Sequence, residues 1–423
     1  MPGQVEAQVL ALELERVRDK VPVLFERDNV FYADIEKRPV EVISGRDMRI
    51  PLEINPGGRF GSFDSDGGSL GRGGASTFDK GVIHAENMKE AVEWTTKAQW
   101  VTDSNRKAVL NNFRYQLAKA MSEFRRNVDA LCMTSGDGVL ASVQTYSVGT
   151  GTAGGDRLTC NVSGDGFGVK LLRYGQKVNI YNAALTTNRT VGNEREINFI
   201  DYANKIVDVF PSLATGVTTD KVVLSGLTAV PPVHLLGVKY HHNDASTGFW
   251  LGLDRSLLPQ VRASSVVAGG ALALPYPRLA LNKVGDRIGI DNVKKCVAYM
   301  HPAQKQAYEE LGQLVTIINK TAKDEGLDLY YEDNMQMAGA PVKTSFLWDK
   351  ARIDFVSKEY WGRAELTPPD FYEVEGRRIF EGRSADGGVA AFMIFYVKAA
   401  FNLFVDNPAG CSYIYQLTVP TGY

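Results

Sequence analysis

The chain has 423 residues, 44% of them hydrophobic and 23% charged, which is close to the average of globular proteins. This composition excludes disordered, fibrous and small disulfide-stapled proteins, and the length allows roughly three folded units of ~150 residues each. The 47 Lys and Arg residues nearly balance the 49 Asp and Glu residues, so the chain lacks the basic excess of a dedicated nucleic-acid-binding protein.

The cysteines and the apolar stretches indicate whether the chain is exported, membrane-bound or disulfide-bonded. The four cysteines are Cys132, Cys160, Cys296 and Cys411. They form no CxxC pair, so the sequence predicts neither a zinc site nor a disulfide framework. No run of about 18 apolar residues occurs, and Glu13 and Arg16 interrupt the apolar stretch near the N-terminus. We therefore expect no membrane span, no export and reduced thiols.

The N-terminal region predicts a helix followed by an arm. Val5, Val9 and Leu12 fall on one face of an amphipathic helix over residues 4–20, and Pro22 ends it. The stretch that follows, to about Val42, mixes charges and aromatic residues without a period. It is interpreted as an extended arm that lies on a neighbouring molecule.

Two strand-like runs, Met48–Ile54 and Ser76–His84, flank a glycine-rich segment at 55–74. The PGG, DGG and GRGG sequences in this segment supply the positive φ angles of tight turns and little to pack. The pattern predicts a long two-stranded finger with a glycine-rich tip. Because an isolated hairpin is only marginally stable in water, we expect this finger to lie on a partner.

A long helix is predicted at 103–134. Its apolar stripe consists of Leu110, Phe113, Leu117, Met121, Phe124, Val128 and Leu131. The spacings of three and four are helical, and at 1.5 Å per residue the helix would be roughly 45 Å long. Asp103 or Ser104 would cap its start, and Gly136 would end it.

Residues 146–226 predict a compact β-barrel-like insertion. Val, Ile, Tyr and Thr dominate short runs such as Lys177–Tyr181 and Lys205–Phe210, and turn residues separate the runs. Gly149–Asp156 and Pro231–Pro232 are candidate boundaries of this insertion.

The remainder of the chain mixes helices and strands. Helices are predicted at Arg278–Arg287 and Ala303–Leu314, the second of them after Pro302, which suits a first helical turn. The predicted strands are Cys296–Met300, Arg352–Val356, Arg377–Phe380 and Val389–Val397.

Gly149–Gly154 matches the GxGxxG pattern of dinucleotide-binding loops and follows the strand-like run Leu140–Val148. Such a site requires a helix directly after the glycines, because the helix N-terminus holds the pyrophosphate. No helical pattern follows, so the motif is interpreted as a flexible linker. The sequence Asp64-Ser-Asp66-Gly67 begins like a calcium loop but lacks the later ligands, and a turn is favoured.

His234, His241 and His242 lie close to Asp244 in the sequence. Adjacent histidines on a strand point to opposite faces, so 241 and 242 would share a metal ion only if a loop brought them together. No GxSxG or HExxH motif is present, and no catalytic constellation, cofactor site or metal site is predicted. This favours a structural role over an enzyme.

The order of these elements resembles the major capsid proteins of tailed bacteriophages, whose fold is called the Hong Kong 97 type. This resemblance implies an α+β fold with six segments: an N-terminal arm at 1–44, an extended loop at 45–88, a peripheral domain with a spine helix at 89–146, a β-rich insertion domain at 147–230, an axial domain at 231–362 and a return to the peripheral domain at 363–423. Gly175–Tyr181 is similar to a sequence segment of the family's insertion domain. Cys296–Pro302 is similar to a strand and the following helix start of the family's axial domain.

The resemblance implies a coat protein that self-assembles through pentamers and hexamers into the icosahedral head enclosing double-stranded DNA. It implies a scaffolding protein, a portal, an optional decoration protein and non-specific contact with DNA, with assembly in the host cytoplasm and a final location in the virion. The finger residues expected to make assembly contacts are Arg59, Phe60, Phe63, Leu70, Arg72 and Lys80.

Two features bear on how the family pattern applies. Members with a built-in scaffold carry a long charged helical extension ahead of the arm, whereas this chain starts with a short helix, so a separate scaffold or the insertion domain would take over that role. Some members also crosslink a finger lysine to an asparagine of a neighbour, and Lys80 is the only lysine between 45 and 86.

Two other functions remain open at this point. An encapsulin-type cellular compartment shares the capsid fold, although its chains are usually shorter and lack a large insertion. A carbohydrate-binding or hydrolytic protein would need an aromatic platform, for which Trp250 and Trp361 are candidates, and paired carboxylates in one cleft.

Overall fold

A computed structural model describes the chain as two compact units, each built from separate stretches of sequence. The first unit comprises Met1–Asp34, Glu86–Leu235 and Glu365–Phe401; the second comprises Ile35–Ala85, Leu236–Ala364 and Asn402–Tyr423. The structure describes residues 30–38, 41–42, 47–62, 66, 72–95, 112–160, 168–190, 193–213, 215–316, 335–375, 377–383 and 389–421. The predicted N-terminal helix and most of the predicted arm lie outside these residues.

The described helices are α1 (Val30–Asp34), α2 (Asn112–Leu131), α3 (Val238–His241), α4 (Pro275–Ile288), α5 (Ile290–Val293) and α6 (Pro302–Thr316). The described strands are β1 (Glu41–Val42), β2 (Asp47–Asn55), β3 (Thr77–His84), β4 (Glu86–Thr95), β5 (Val139–Ser147), β6 (Asp156–Cys160), β7 (Lys177–Tyr181), β8 (Arg195–Asp201), β9 (Ile206–Phe210), β10 (Lys221–Leu224), β11 (Phe249–Trp250), β12 (Leu253–Asp254), β13 (Ser264–Gly270), β14 (Cys296–Met300), β15 (Gln336–Met337), β16 (Ala340–Thr344), β17 (Ile353–Ser357), β18 (Trp361–Phe371), β19 (Phe380–Arg383), β20 (Val389–Val405) and β21 (Ser412–Leu417).

Helix α2, in the first unit, is the long helix that the sequence predicts. Phe124, Val128 and Leu131 of the predicted stripe are buried. Such a stripe, repeated every three or four residues, gives a helix one continuous apolar face to bury. The prediction covered 103–134, of which residues 103–111 lie outside the described part of the chain.

A four-stranded sheet also belongs largely to the first unit. Its order is β18-β20-β19, and β4 pairs with β20 in antiparallel register from Thr95↔Phe392 to Glu86↔Phe401. The predicted strand at 389–397 is confirmed and continues to Val405. The strand predicted at 377–380 instead begins at Phe380, because Arg377 is held in a tight turn by its bridge to Val374.

The predicted β-rich insertion is a closed six-stranded barrel with the strand order β10-β5-β6-β9-β8-β7. Alternate strand residues fill its interior, as a small barrel requires. The buried apolar side chains include Leu158, Val178, Ile180, Ile197, Val207, Val209 and Val222. The barrel begins with β5 at Val139, ahead of the boundary expected at 147, because β5 is hydrogen-bonded on both sides, to β6 and β10.

The second unit is built on a six-stranded mixed sheet of order β13-β21-β17-β14-β16-β15. Its core holds Val266, Leu272, Ala280, Leu281, Val284, Cys296, Ala298, Met300, Met337, Ala340, Ile353, Phe355, Ile414 and Leu417. The predicted strand at 296–300 is confirmed, as are the two predicted helices, which correspond to α4 and α6. Pro302 occupies the first position of α6, as its missing N–H donor favours.

Strand β21 differs from the sequence-based division, which grouped residues 363–423 with the peripheral domain. It lies inside the sheet of the second unit, parallel to β13 and antiparallel to β17. A short strand between two partners is buried on both faces, so it has no alternation that indicates where it belongs.

Candidate assembly surface

Strands β2 and β3 form the finger that the sequence predicts. They pair in antiparallel register from Asp47↔His84 at the base to Asn55↔Thr77 near the tip. Beyond Asn55 the two arms of the hairpin stay close, since the Gly58 N–H donates to the Gly74 carbonyl at 3.2 Å. Gly57 has a φ of 67°, and a Cβ atom there would lie 2.5 Å from the Ser76 nitrogen, so this position requires glycine.

The base of the finger is anchored in the second unit by an apolar cluster. Its buried members are Met48, Ile50, Ile83, Ala85, Trp250, Leu251, Leu253, Val261, Ala364 and Phe404. The backbone joins this anchor, because the Val82 N–H donates to the Leu251 carbonyl at 2.9 Å. Asn402 adds a side-chain bond to the His84 carbonyl at 2.8 Å. The base is therefore held on both its apolar face and its edge.

Toward the tip, Leu52 still packs against the apolar cluster and Gln260 Nε2 donates to the Ile54 carbonyl at 3.4 Å, but the facing half of β3 is exposed. All residues from 72 to 80 are exposed. Phe60 and Phe78 are 109% and 68% exposed, which is unusual for phenylalanine in a folded subunit. A projection that presents two aromatic rings to solvent is suited to bury them on another molecule.

Four of the six predicted contact residues, Arg59, Phe60, Arg72 and Lys80, are exposed on the finger. The other two, Phe63 and Leu70, lie outside the described residues. Sequence reasoning missed Phe78 and the anchor formed by Trp250 and Leu251. Phe78 could have been found, because it continues the β3 strand beyond the last residue that reaches the core.

Lys80 lies opposite Pro51 on the finger. No carboxylate among the described residues forms an ion pair with its ammonium group.

The glycine motif at 149–154 forms the turn between β5 and β6. Two buried aspartates hold it: Asp156 accepts from the Gly149 N–H at 2.8 Å, and Asp208 accepts from the Thr152 N–H at 2.9 Å. Arg157 also donates to Asp208 at 2.9 Å. Carboxylates occupy the backbone donors that a phosphate would need, so the motif is a structural turn and no phosphate site. It lies within the barrel and is no boundary between domains.

The adjacent histidines lie at the end of the short helix α3, in the second unit, with both rings buried. His241 Nε2 donates to the Leu403 carbonyl at 3.2 Å, and its Nδ1 accepts from Trp250 Nε1 at 3.1 Å. His242 Nδ1 instead bonds Asp354 at 2.8 Å. Trp361 packs edge-on against His241 at 5.2 Å between ring centroids. Trp250 and Trp361 are thus core residues and provide no exposed platform.

The two histidine rings differ in the direction of their pKa shifts. Burial and, after it, the proximity of His242 lower the pKa of His241 to about 3. Burial also disfavours charge on His242, but Cys411 and Asp354 outweigh it and raise the pKa to about 9. Among the described residues, no group of three His, Cys, Asp or Glu side chains is arranged to hold a metal ion.

Lowering the pH from 6.5 to 5 is expected to remove a stabilising contribution of His241 from the unassembled chain. The neutral ring contributes stability above the unfolded pKa of 6.5, and this contribution is lost as the pH falls toward the folded pKa of about 3. Between pH 6.5 and 5 the loss from His241 amounts to about 2 kcal/mol. Urea denaturation at each pH measures it.

Comparison of one variant with the native chain isolates this effect. His241→Gln should lose about 2 kcal/mol less unfolding free energy than the native chain when the pH falls from 6.5 to 5. Parallel curves for the two proteins would show that His241 is not the group responsible.

No protein-family model and no curated protein matches the chain. Solved structures do match. The capsid of cyanophage A-1(L) covers 95% of this chain and 96% of its own, with a TM-score of 0.58 at 10% identity. The capsid of an empty GTA particle covers 94% and 93%, with a TM-score of 0.49 at 12% identity. The holo-SrpI encapsulin of Synechococcus elongatus covers 98% and 96%, with a TM-score of 0.45 at 11% identity.

The likeness to the cyanophage A-1(L) capsid concerns the fold. The chain therefore has a capsid-type fold of mixed helices and sheets, with a closed six-stranded barrel included in it. No helix among the described residues is both long and apolar enough to cross a membrane.

Proposed function

We propose that the chain is the major capsid protein of a tailed bacteriophage. It is a structural subunit without catalysis, and it self-assembles into the icosahedral head around double-stranded DNA. The observation that carries this proposal is the finger, whose base is buried in the second unit while Phe60 and Phe78 are exposed. The capsid-type fold over nearly the whole chain supports it.

Within the Hong Kong 97 type, we assign residues 1–44 to the N-terminal arm and 45–88 to the extended loop. The peripheral domain contains α2 as its spine helix together with the sheet of β4, β18, β19 and β20. We assign the barrel, from Val139 to about residue 230, to the insertion domain. The axial domain is the six-stranded sheet with its helices, and β21 belongs to it.

The finger acts by burying surface that its own subunit leaves exposed. Each square ångström of apolar surface buried on a neighbour contributes about 25 cal/mol, and wrapping segments supply large contact areas. Head-to-tail contacts of this kind close into rings when the rotation between copies permits it. Arg59, Arg72 and Lys80 would surround the two phenylalanines at the rim of the contact, and Phe63 and Leu70 would extend it.

The remaining partners follow from the role of a shell. We infer a scaffolding protein and a portal during assembly in the host cytoplasm, optional decoration proteins, and a final location in the virion. The near-neutral net charge of -2 suits a wall that encloses DNA without reading its sequence.

Expression of the chain alone and together with a scaffolding protein tests this function. Light scattering with negative-stain microscopy should detect shells, or pentamers and hexamers. A chain that stays a stable monomer even with the scaffold present would contradict the proposal.

The encapsulin alternative predicts shells as well and is distinguished by their contents. Shells formed inside a phage-infected cell should hold DNA, whereas a cellular compartment would hold a protein cargo. The carbohydrate-binding alternative loses its support, because its candidate platform residues, Trp250 and Trp361, are both 0% exposed.

A further inference from the structure

Four basic side chains of the second unit lie together beside helix α4 and strand β13. This basic row consists of Arg255, Arg262, Lys283 and Arg287. The contacts run in order along it. Arg287 Nη1 donates to the Arg262 carbonyl at 2.5 Å, and Arg262 Nε donates to the Arg255 carbonyl at 2.9 Å. Arg255 Nη2 in turn donates to the Tyr240 carbonyl at 3.0 Å.

The partners of this row are backbone carbonyls. Lys283 Nζ donates to the Ser265 carbonyl at 2.6 Å, and Arg287 Nη2 donates to the Pro259 carbonyl at 3.1 Å. A carbonyl orients a cation without cancelling its charge, whereas a carboxylate does both. None of the four cations forms an ion pair with a carboxylate of the described residues.

Two carboxylates act on the row without forming an ion pair with it. Asp244 accepts from the hydroxyls of Ser265 and Tyr413, and Asp254 accepts from Ser256. Burial lowers the pKa of Arg255 and of Arg287, and Arg262 lowers both further, whereas Asp244 raises the pKa of Arg255. The row therefore carries more positive charge than these two carboxylates balance.

The row is also placed to receive a ligand. Arg255 is 3% exposed, and its Nε atom has no hydrogen-bond partner among the described residues. Because it is buried, it would act on a ligand through its charge and not through direct contact. Lys283 and Arg287 are exposed, one helical turn apart on α4, and Arg262 is partly exposed. Arg262 Nη1 and Arg287 Nε donate to no described residue and remain available.

We infer that this basic row binds the phosphate backbone of a nucleic acid. A succession of cations matches the repeating charges of a polyanion better than it matches a single carboxylate, and arginine forks suit phosphate oxygens. The arrangement contacts no base edge and gives no sequence preference. The inference rests on the proposed function in one respect, which is that the nucleic acid is the one the shell encloses.

The test measures binding of a fluorescein-labelled duplex DNA to the purified full-length chain by anisotropy at several salt concentrations. The variant Arg262→Gln with Arg287→Gln should lose about two units of the slope of log K against log salt. When the salt concentration rises from about 50 to 200 mM, the binding constant of this variant should therefore fall by a factor roughly ten times smaller than that of the native chain. The matched control, Lys294→Gln with Arg378→Gln, removes two exposed cations paired with Asp291 and Glu373 and should keep the native slope.

Two further variants guard against misfolding. Lys283→Gln, on the exposed surface of α4, should lose about one unit of slope. Arg262→Lys with Arg287→Lys should restore most of the native slope, because it keeps both charges. The inference would be overturned if the Gln variants bound DNA with the slope of the native chain, or if the native chain did not bind DNA.

Shell formation is scored on the same preparations. Gln variants that bind DNA normally but form no shells would assign the row to an acidic surface of a second copy, which also overturns the inference. A native chain that forms no shells even with the scaffolding protein present, yet binds DNA through the row, would leave the inference standing and refute the proposed function.

Discussion

Deletion of residues 57–74 is expected to yield a subunit that folds normally and forms no shells. The deletion joins Pro56 to Ala75 and leaves a three-residue connection between the paired residues Asn55 and Thr77, a length that hairpins accept. The apolar anchor at the base stays intact, so the melting temperature should change little. Size-exclusion chromatography with light scattering measures the loss of assembly, and circular dichroism verifies the fold.

Point substitutions refine this experiment by keeping the chain length. Phe60→Ser with Phe78→Ser should reduce the yield of shells at least tenfold, because an aromatic anchor at an interface commonly contributes 2 kcal/mol or more. Tyr174→Ser with Phe249→Ser is the control, since it removes two aromatic rings outside the finger that are 65% and 67% exposed. Equal yields from the two double variants, or normal shells from the deletion, would refute the role of the finger.

Replacement of Asp354 by alanine is expected to destabilise the chain by about 3–5 kcal/mol, the cost of breaking a buried ion pair. Asp354 is 1% exposed, and both Arg352 and His242 bond it at 2.8 Å. Burial alone would raise its pKa, but Arg352 and His242 lower it to about 2. Without the carboxylate, two buried cations lose their counter-charge. Urea denaturation followed by tryptophan fluorescence measures the change.

Asp291→Ala serves as the control for Asp354→Ala. Asp291 pairs with Lys294 at 3.4 Å, but both side chains are more than three-quarters exposed. An exposed pair contributes about 0–1 kcal/mol, so this variant should unfold almost like the native chain. Similar losses for the two variants would mean that the Asp354 network is hydrated and does not carry buried charge.

Elements with a strong local pattern were predictable from the sequence. The finger followed from two strand-like runs around a glycine-rich segment, and helix α2 followed from a stripe that includes Phe124 and Val128. The barrel followed from short β-rich runs such as Lys177–Tyr181, although its first strand at Val139 was assigned to the preceding segment. In each case the side-chain period or the turn residues are contained within the element itself.

Features that depend on distant partners were not predictable. His241 and His242 are adjacent in sequence, yet burial by distant segments lowers the pKa of one, while Cys411 and Asp354 raise the pKa of the other. The finger's exposed half was predicted, whereas its anchor was not, because Trp250 and Leu251 join it only through the fold. The glycine motif at 149–154 likewise depends on Asp208, which lies in β9, 56 residues after Thr152.

The place of β21 has a consequence for the order in which the chain folds during synthesis. Strand β13 pairs with β21, and Ser264 lies opposite Ser412 although the two are separated by most of the second unit's sequence. The barrel, by contrast, is contained in one continuous stretch and can fold soon after the ribosome has made it. Until β21 emerges, β13 and β17 each present an unpaired edge to solvent, and such edges recruit other nascent chains. A chaperone that shields the six-stranded sheet over this interval would raise the yield of soluble subunits without affecting the barrel.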